Sequence, residues 1–181
     1  MLEVIDLELK YGSYSKSLNF KLEPGTLSWL RGKNGAGKST LLLTLMGFED
    51  ARLGKVIWYG QSNSFAYAQQ KPDFAFALSV QRVLQLAGVD RDSELIKKLG
   101  LQQLLDSSVT SLSGGEAQRI LLAIAFNSSA PYLLLDEPFA SQDVEYVAVI
   151  KELLTEQKQK GHAVLIASHI AIEADQIIEL I

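Results

Sequence analysis

Apolar and polar residues alternate through residues 2–9 and again through 17–23, which predicts two half-buried strands. Pro24-Gly25 marks a turn. Thr26–Leu30 is a short apolar run that enters Arg31-Gly32, and a polar, glycine-rich loop follows. The leucine-rich stretch Ser39–Met46 then predicts a helix. Gly54–Tyr59 predicts a strand closed by Gly60-Gln61, and Ser64–Ala68 a further short one. From 72 to 112 the pattern becomes helical, with short segments at Ser79–Ala87, Asp92–Leu99 and Leu101–Leu105 and no strand pattern between them. Beyond it, Glu116–Phe126 predicts a helix, Tyr132–Leu135 an apolar strand, Val144–Gln159 an amphipathic helix and Ala163–Ala167 a strand. Ile170–Ala174 reads as the start of a last helix. Strands alternating with helices of this length imply an α/β fold with a mostly parallel sheet flanked by helices. The expectation is one domain over 1–181, with a helical subdomain inserted at about 72–115.

Composition narrows this picture only a little. Hydrophobic residues make up 48% and charged residues 21%, which argues against disorder. The net charge is −4, so no whole-chain basic field points to nucleic acid, and no direct nucleic-acid contact is expected. The absence of cysteine excludes disulfides and thiolate metal sites. The acidic, alternating start lacks the basic opening and apolar run of a secretory signal. No apolar run approaches the roughly 18 residues of a membrane helix, so a membrane role is expected to go through a partner.

Chemistry first shows in Gly32-Lys33-Asn34-Gly35-Ala36-Gly37-Lys38-Ser39, followed by Thr40, which fits the phosphate-loop spacing G-x-x-x-x-G-K-[ST]. Glycines let the backbone curl so that successive N–H groups converge on phosphate oxygens. A helix starting near Lys38 adds the positive end of its dipole. Lys38 would reach the β- and γ-phosphates, and Ser39 would ligate Mg²⁺. An apolar strand before the loop and a leucine-rich helix after it supply the required context. This much predicts nucleotide binding and no particular machine.

Other motifs follow in order. Gln70 precedes Lys71-Pro72; Gln69 competes for its register. Leu112-Ser113-Gly114-Gly115-Glu116-Ala117-Gln118-Arg119 closes the helical insert. Leu133-Leu134-Leu135-Asp136-Glu137-Pro138 ends one strand, and Ser168-His169 ends the next. Asp136 sits where loops of parallel sheets carry ligands, placed to hold Mg²⁺ through water. Glu137 can polarise an attacking water, although two acids at a strand end also make an ordinary solvated turn. Ser113-Gly114-Gly115 before a helix is either an anion-binding N-terminus or a simple N-cap with Glu116 as its first-turn acid. His169 is one of two histidines; taken alone it reads as a surface residue, and His162 has no other reading.

Taken together, these motifs resemble the ATP-binding cassette (ABC) ATPases from Tyr11 to about Ile178. The resemblance implies a P-loop NTPase fold with a small antiparallel β region and a short helical subdomain. It implies ATP and Mg²⁺ as ligands, with Ser39, Gln70 and Asp136 around the metal. Glu137 would be the base, with His169, Gln70 and Lys38 completing the catalytic group. Tyr11, with Tyr14 as fallback, takes the position of an adenine-stacking residue. Ser113, Gly114, Gly115, Gln118 and Asp143 would contact nucleotide across a dimer of two cassettes. The expected role is the energy-coupling subunit of a membrane transporter. It would sit on the cytoplasmic face of the inner membrane through separate transmembrane subunits that dock beside Gln70. A soluble ABC ATPase acting on DNA or ribosomes is the alternative, and a regulator without turnover is disfavoured by Glu137 and His169.

Some positions depart from the family pattern. Ala140-Ser141-Gln142-Asp143 stands where Ser-Ala-Leu-Asp is usual, so Gln142 replaces an apolar residue near the expected dimer interface and packing there should differ. Ile170 follows His169 where Asp is frequent, the insert is short, and the sequence runs only to residue 181, which together suggest a minimal cassette. The Gly54–Trp58 stretch resembles haem-exporter cassettes and Ala66–Gln70 resembles importers of vitamin B12 or iron chelates; the two hints disagree and assign no cargo.

Overall fold

The computed structural model describes residues 1–11, 16–59, 64–74 and 76–180. Five parallel strands form the central sheet in the order β5(Phe65–Ala68), β6(Tyr132–Asp136), β7(Ala163–Ala167), β3(Leu27–Gly32), β8(Gln176–Leu180). Every residue of β6 and β7 is buried, as strands covered on both faces should be. A second, antiparallel sheet runs β2(Leu18–Leu22), β1(Leu2–Leu9), β4(Ala51–Trp58). Alternation in β1 and β2 turns Leu2, Val4, Leu7, Leu18, Phe20 and Leu22 inward, onto α1(Lys38–Leu45) and the central sheet. A bulge interrupts β1 at Asp6, whose φ is 47° and whose backbone N–H donates to Asn19 at 2.9 Å. β4 starts three residues before the predicted Gly54.

The other sheet face packs on α4(Gly114–Asn127), α5(Val144–Gln159) and the helical insert in one continuous core. The insert holds α2(Val80–Leu86) and α3(Glu94–Lys98), each capped by a serine, Ser79 or Ser93, whose hydroxyl accepts an N–H of the first turn. The predicted helix Leu101–Leu105 is instead a 3₁₀ turn at Gln102–Leu104, with another at Val109–Ser111. Lys98 fastens α3 to α5 through Glu152 at 2.8 Å and Glu156 at 2.7 Å.

The predicted helix start at Ile170–Ala174 is overturned. Ile170, Ile172 and Ala174 instead pack on the core from an irregular segment that begins in a bend, and β8 follows. The Asp175 carboxylate accepts the Leu27 N–H at 2.8 Å and Lys158 Nζ at 2.5 Å, which pins this segment to the start of β3.

Candidate functional site

All five central strands run parallel, so the loops that follow them gather at one sheet edge. β3 delivers the Gly32–Thr40 loop there. Gly32 has no room for a side chain, because an added Cβ would lie 2.8 Å from the Leu180 carbonyl oxygen. Gly37 is the N-terminal boundary of α1 at φ 107°, a conformation that favours glycine. Ala36 buries its methyl beneath the loop, and its N–H donates to the Lys33 carbonyl at 3.1 Å. The Lys38 ammonium folds back into the loop, donating to the Gly32 carbonyl at 2.9 Å and the Lys33 carbonyl at 3.4 Å. The Lys33 side chain points to solvent.

β6 and β7 lie side by side, which brings Asp136-Glu137 and His169 to neighbouring strand ends. Asp136 pairs with Ala167 across the sheet, and the Glu137 N–H donates to the Ala167 carbonyl at 2.8 Å. Glu137 has φ 48°, an uncommon conformation for a side-chain-bearing residue, and it turns the carboxylate back over the loop. Oε1 of Glu137 lies 3.4 Å from Lys38 Nζ, both side chains being less than a tenth exposed. Oε2 accepts the His169 N–H at 3.3 Å and lies 2.7 Å from His169 Nδ1. The rest of the His169 ring is open, with 60% of its side chain exposed.

Asp136 is buried, and its Oδ1 has no hydrogen-bond partner among the described residues. Burial pushes its carboxyl above the ordinary range; the Ser39 hydroxyl opposes that rise, the Glu137 charge adds to it, and the Lys38 ammonium opposes it. A buried carboxylate oxygen without a partner, beside a serine hydroxyl, is a donor set that fits a hard divalent cation. No cluster of three or more His, Cys, Asp or Glu forms a metal site among the described residues. Magnesium bound to substrate phosphates does not require one, since one or two protein oxygens suffice.

Asn34, Gly35, Gly37, Lys38, Ser39, Thr40, Gln70, Asp136 and Glu137 line one open cleft of about 360 Å³. The structure thus brings Gln70 to the loop, and the half-buried Gln69 stays out of the lining. Tyr11 is exposed at the end of β1, with Lys10 Nζ 5.4 Å from its ring centre; Tyr14 lies outside the described residues. Tyr67 sits near Asp136, and burial with that charge pushes its hydroxyl up to about 12.

Ser113, Gly114, Gly115 and Asp143 do not reach this cleft within the chain. Ser113 caps α4 in a reciprocal box: its hydroxyl accepts the Glu116 N–H at 3.3 Å and donates to Glu116 Oε2 at 2.7 Å, and its own N–H donates to Oε2 at 2.8 Å. Asp143 stands exposed at the N-terminus of α5 without capping it. The expectation for Gln118 is corrected: it is 1% exposed on the inner face of α4, its amide atoms have no partner among the described residues, and it is not available to a ligand on the Ser113 side.

Two contributors escape the motif reading. Trp29, in the buried strand before the loop, donates its indole N–H to the Ser168 carbonyl at 2.9 Å and so fixes the residue before His169. A buried tryptophan needs such an acceptor, which was the available signal. Gln142 turns back onto α4, donating from Nε2 to the Gly115 carbonyl at 3.0 Å.

Comparison with known proteins gives the family. The model described as "ABC transporter" matches residues 15–140. The chain belongs to the ABC transporter family. The cassette is 37% identical over 174 residues to the zinc import ATP-binding protein ZnuC of Pseudomonas fluorescens, covering 93% of this chain and 66% of that one. It is 33% identical over 171 residues to the manganese transport system ATP-binding protein MntA of Synechocystis, covering 82% and 66%. Among solved structures, an ATP-binding subunit of an ABC transporter superposes with a TM-score of 0.82 at 29% identity, covering 94% of this chain and 80% of that one. The cassette thus spans about two thirds of the length of these curated relatives. No helix among the described residues is long and apolar enough to cross a membrane.

Proposed function

We propose that the cassette binds MgATP in the Gly32–Thr40 cleft, hydrolyses it, and powers a membrane transporter as one of two cassettes closed around two nucleotides. The placement of Glu137 carries this reading. Its carboxylate faces the phosphate loop, held between Lys38 and His169 at the end of the strand that carries Asp136.

The loop amides and Lys38 bind the phosphates, with Lys38 exchanging Glu137 for a phosphate oxygen. Ser39, Asp136 and Gln70 would hold Mg²⁺, which supplies charge neutralisation at the β- and γ-phosphate oxygens. Glu137, freed of Lys38, accepts a proton from the attacking water and aligns it. His169 Nδ1 donates to the ionised Glu137, so Nε2 donates to a phosphate only while the ring is an imidazolium paired with that carboxylate. Ser113, Gly114 and Gly115 serve the phosphates held by the other cassette.

Separate transmembrane subunits would supply the pathway and hold the cassette at the cytoplasmic face of the membrane. Phe76 and Leu86 of the helical insert are exposed, which supports that insert as the docking side. The names of the zinc and manganese relatives support a divalent metal ion as cargo. Copurification of a polytopic membrane protein in detergent tests the partner, and uptake of Zn²⁺ against Mn²⁺ by the assembled complex tests the cargo.

Glu137→Gln tests the chemistry. The variant should bind MgATP, form a dimer and lose on the order of 10²- to 10⁴-fold in turnover. Ordinary turnover by this variant removes Glu137 as the base.

A further inference from the structure

We propose that Gln142 is a positioning residue that ties the segment leaving Glu137 to the first turn of α4, so that the state of one nucleotide site reaches the Ser113–Gly115 turn offered to the other. The inference rests on the two-cassette reading above. It concerns a side chain that departs from the family's apolar residue.

Residues 137–141 are bracketed by two strained positions, Glu137 at φ 48° and Ser141 at φ 59°. Side-chain-bearing residues hold that conformation only where their surroundings enforce it. Inside the bracket, the Ala140 N–H donates to the Glu137 carbonyl at 3.0 Å, and the Gln142 N–H to the Phe139 carbonyl at 3.3 Å. The segment is therefore a compact turn, and a shift of Glu137 is carried along it.

At its far end the turn grips α4 in three places. The Ser141 carbonyl presses on Gly115, where an added Cβ would lie 2.3 Å away. Gln142 Nε2 donates to the Gly115 carbonyl at 3.0 Å. Gln142 Oε1 accepts from Arg119 Nη1 at 3.5 Å, and the Arg119 guanidinium lies 3.8 Å from the Tyr146 ring centre on α5. A leucine at 142 could make neither polar contact. One amide thus joins the turn after the base to the backbone of the motif that faces outward. A local packing role would require only the apolar stem; the two directed hydrogen bonds set a geometry.

Gln142→Met keeps the length and removes both bonds, and three measurements on it decide. Amide exchange over residues 113–119 should quicken roughly fivefold, the worth of the 3.0 Å bond to the Gly115 carbonyl, since the 3.5 Å contact with Arg119 adds little. The kcat for MgATP should fall by a similar factor, with KM and the affinity of the single chain for nucleotide held within twofold. In the Glu137→Gln background, MgATP-dependent dimerisation, followed by sedimentation, should need several-fold more nucleotide once Gln142→Met is added. Unchanged exchange overturns the proposal, as does faster exchange with unaltered kcat and dimerisation. A matched loss in KM and nucleotide affinity also overturns it, because the damage would then lie in the residue's own site. Failure of Glu137→Gln alone to dimerise with MgATP overturns the two-cassette reading, and this inference with it.

Discussion

Replacing Gly115 by alanine would put a methyl group 2.3 Å from the Ser141 carbonyl oxygen and 3.7 Å from Gln142 Nε2. Real Cβ atoms essentially never come within 3.0 Å of a neighbour, so the carbonyl must retreat by most of an ångström. The obstacle is backbone, and it belongs to a residue already strained at φ 59°. Overpacking of this kind costs about 1–3 kcal/mol. Losing the Gln142–Gly115 hydrogen bond adds about 1 kcal/mol. Against this stands the helix preference for alanine over glycine, worth at most about 1 kcal/mol and less in a first turn. Gly115→Ala should therefore lose about 1–3 kcal/mol net, by the same estimates. The neighbour supplies the control. A Cβ at Gly114 meets nothing within 4 Å, and its φ is not in the left-handed region, so Gly114→Ala should be neutral or gain up to about 0.5–1 kcal/mol. Urea unfolding of both variants with unchanged m-values measures the difference. Equal stability of the two would refute the contact between Ser141 and α4.

Further outcomes follow from single contacts. Trp29→Phe leaves the buried Ser168 carbonyl without its indole donor; a loss of about 1–3 kcal/mol should appear in thermal unfolding, and kcat should fall more than KM rises because His169 comes next. Ser113→Ala removes the α4 cap and should cost about 1 kcal/mol at neutral pH. The Ser113 hydroxyl, then its N–H, hold the Glu116 carboxyl below its usual range. That contribution is full above the unfolded value of about 4.3 and is lost as pH falls through the depressed folded value, so the Ser113→Ala penalty should shrink in acid. An equal penalty at pH 7 and pH 3 would contradict this. Chelation of divalent cations should weaken ATP binding sharply, because the cleft lining sets one ammonium against two carboxylates; titration calorimetry with and without EDTA measures it.

The features that carried most of the site were those set by local chemistry. Glycines at 32, 35 and 37 with Lys38 and Ser39 are a backbone requirement written in adjacent residues, and the loop forms as the spacing demands. The structure pairs β6 with β7 in parallel from Tyr132 with Ala163 to Asp136 with Ala167, a pairing that their apolar patterns alone do not fix. Misreadings came where a partner distant in sequence decides. Ile170, Ile172 and Ala174 are apolar enough to suggest a helix, but the Asp175 contact with Leu27 and the pairing of β3 with β8 leave them in an irregular segment against the core. Gln118 belongs with Ser113 in one contiguous motif, but contiguity does not fix its facing. Five residues along a helix turn about 140° from the starting face, and that carries Gln118 into the core. Gln142 reads from the sequence only as a departure at the expected dimer interface, because nothing near it in sequence shows that the Gly115 carbonyl lies within reach.

Within one chain, Ser113 needs nothing more: its hydroxyl both gives and receives a hydrogen bond with Glu116, as an ordinary cap would. Gly114 is harder to assign to the fold. It is exposed, lies in the first turn of α4, has no left-handed φ and meets no described atom that a methyl would strike. Alanine there would favour the helix, so the bare position lowers stability for no purpose inside the subunit. Gly115, one residue on, is bare for an evident internal reason. Under the proposed two-cassette arrangement, the bare Gly114 would admit a ligand too close to the backbone for a Cβ. A phosphate oxygen meeting the N–H groups of a helix N-terminus makes that kind of approach. Gly114→Ala should then keep or improve stability while losing ATPase activity, a combination that neither a pure capping role nor a local folding defect produces.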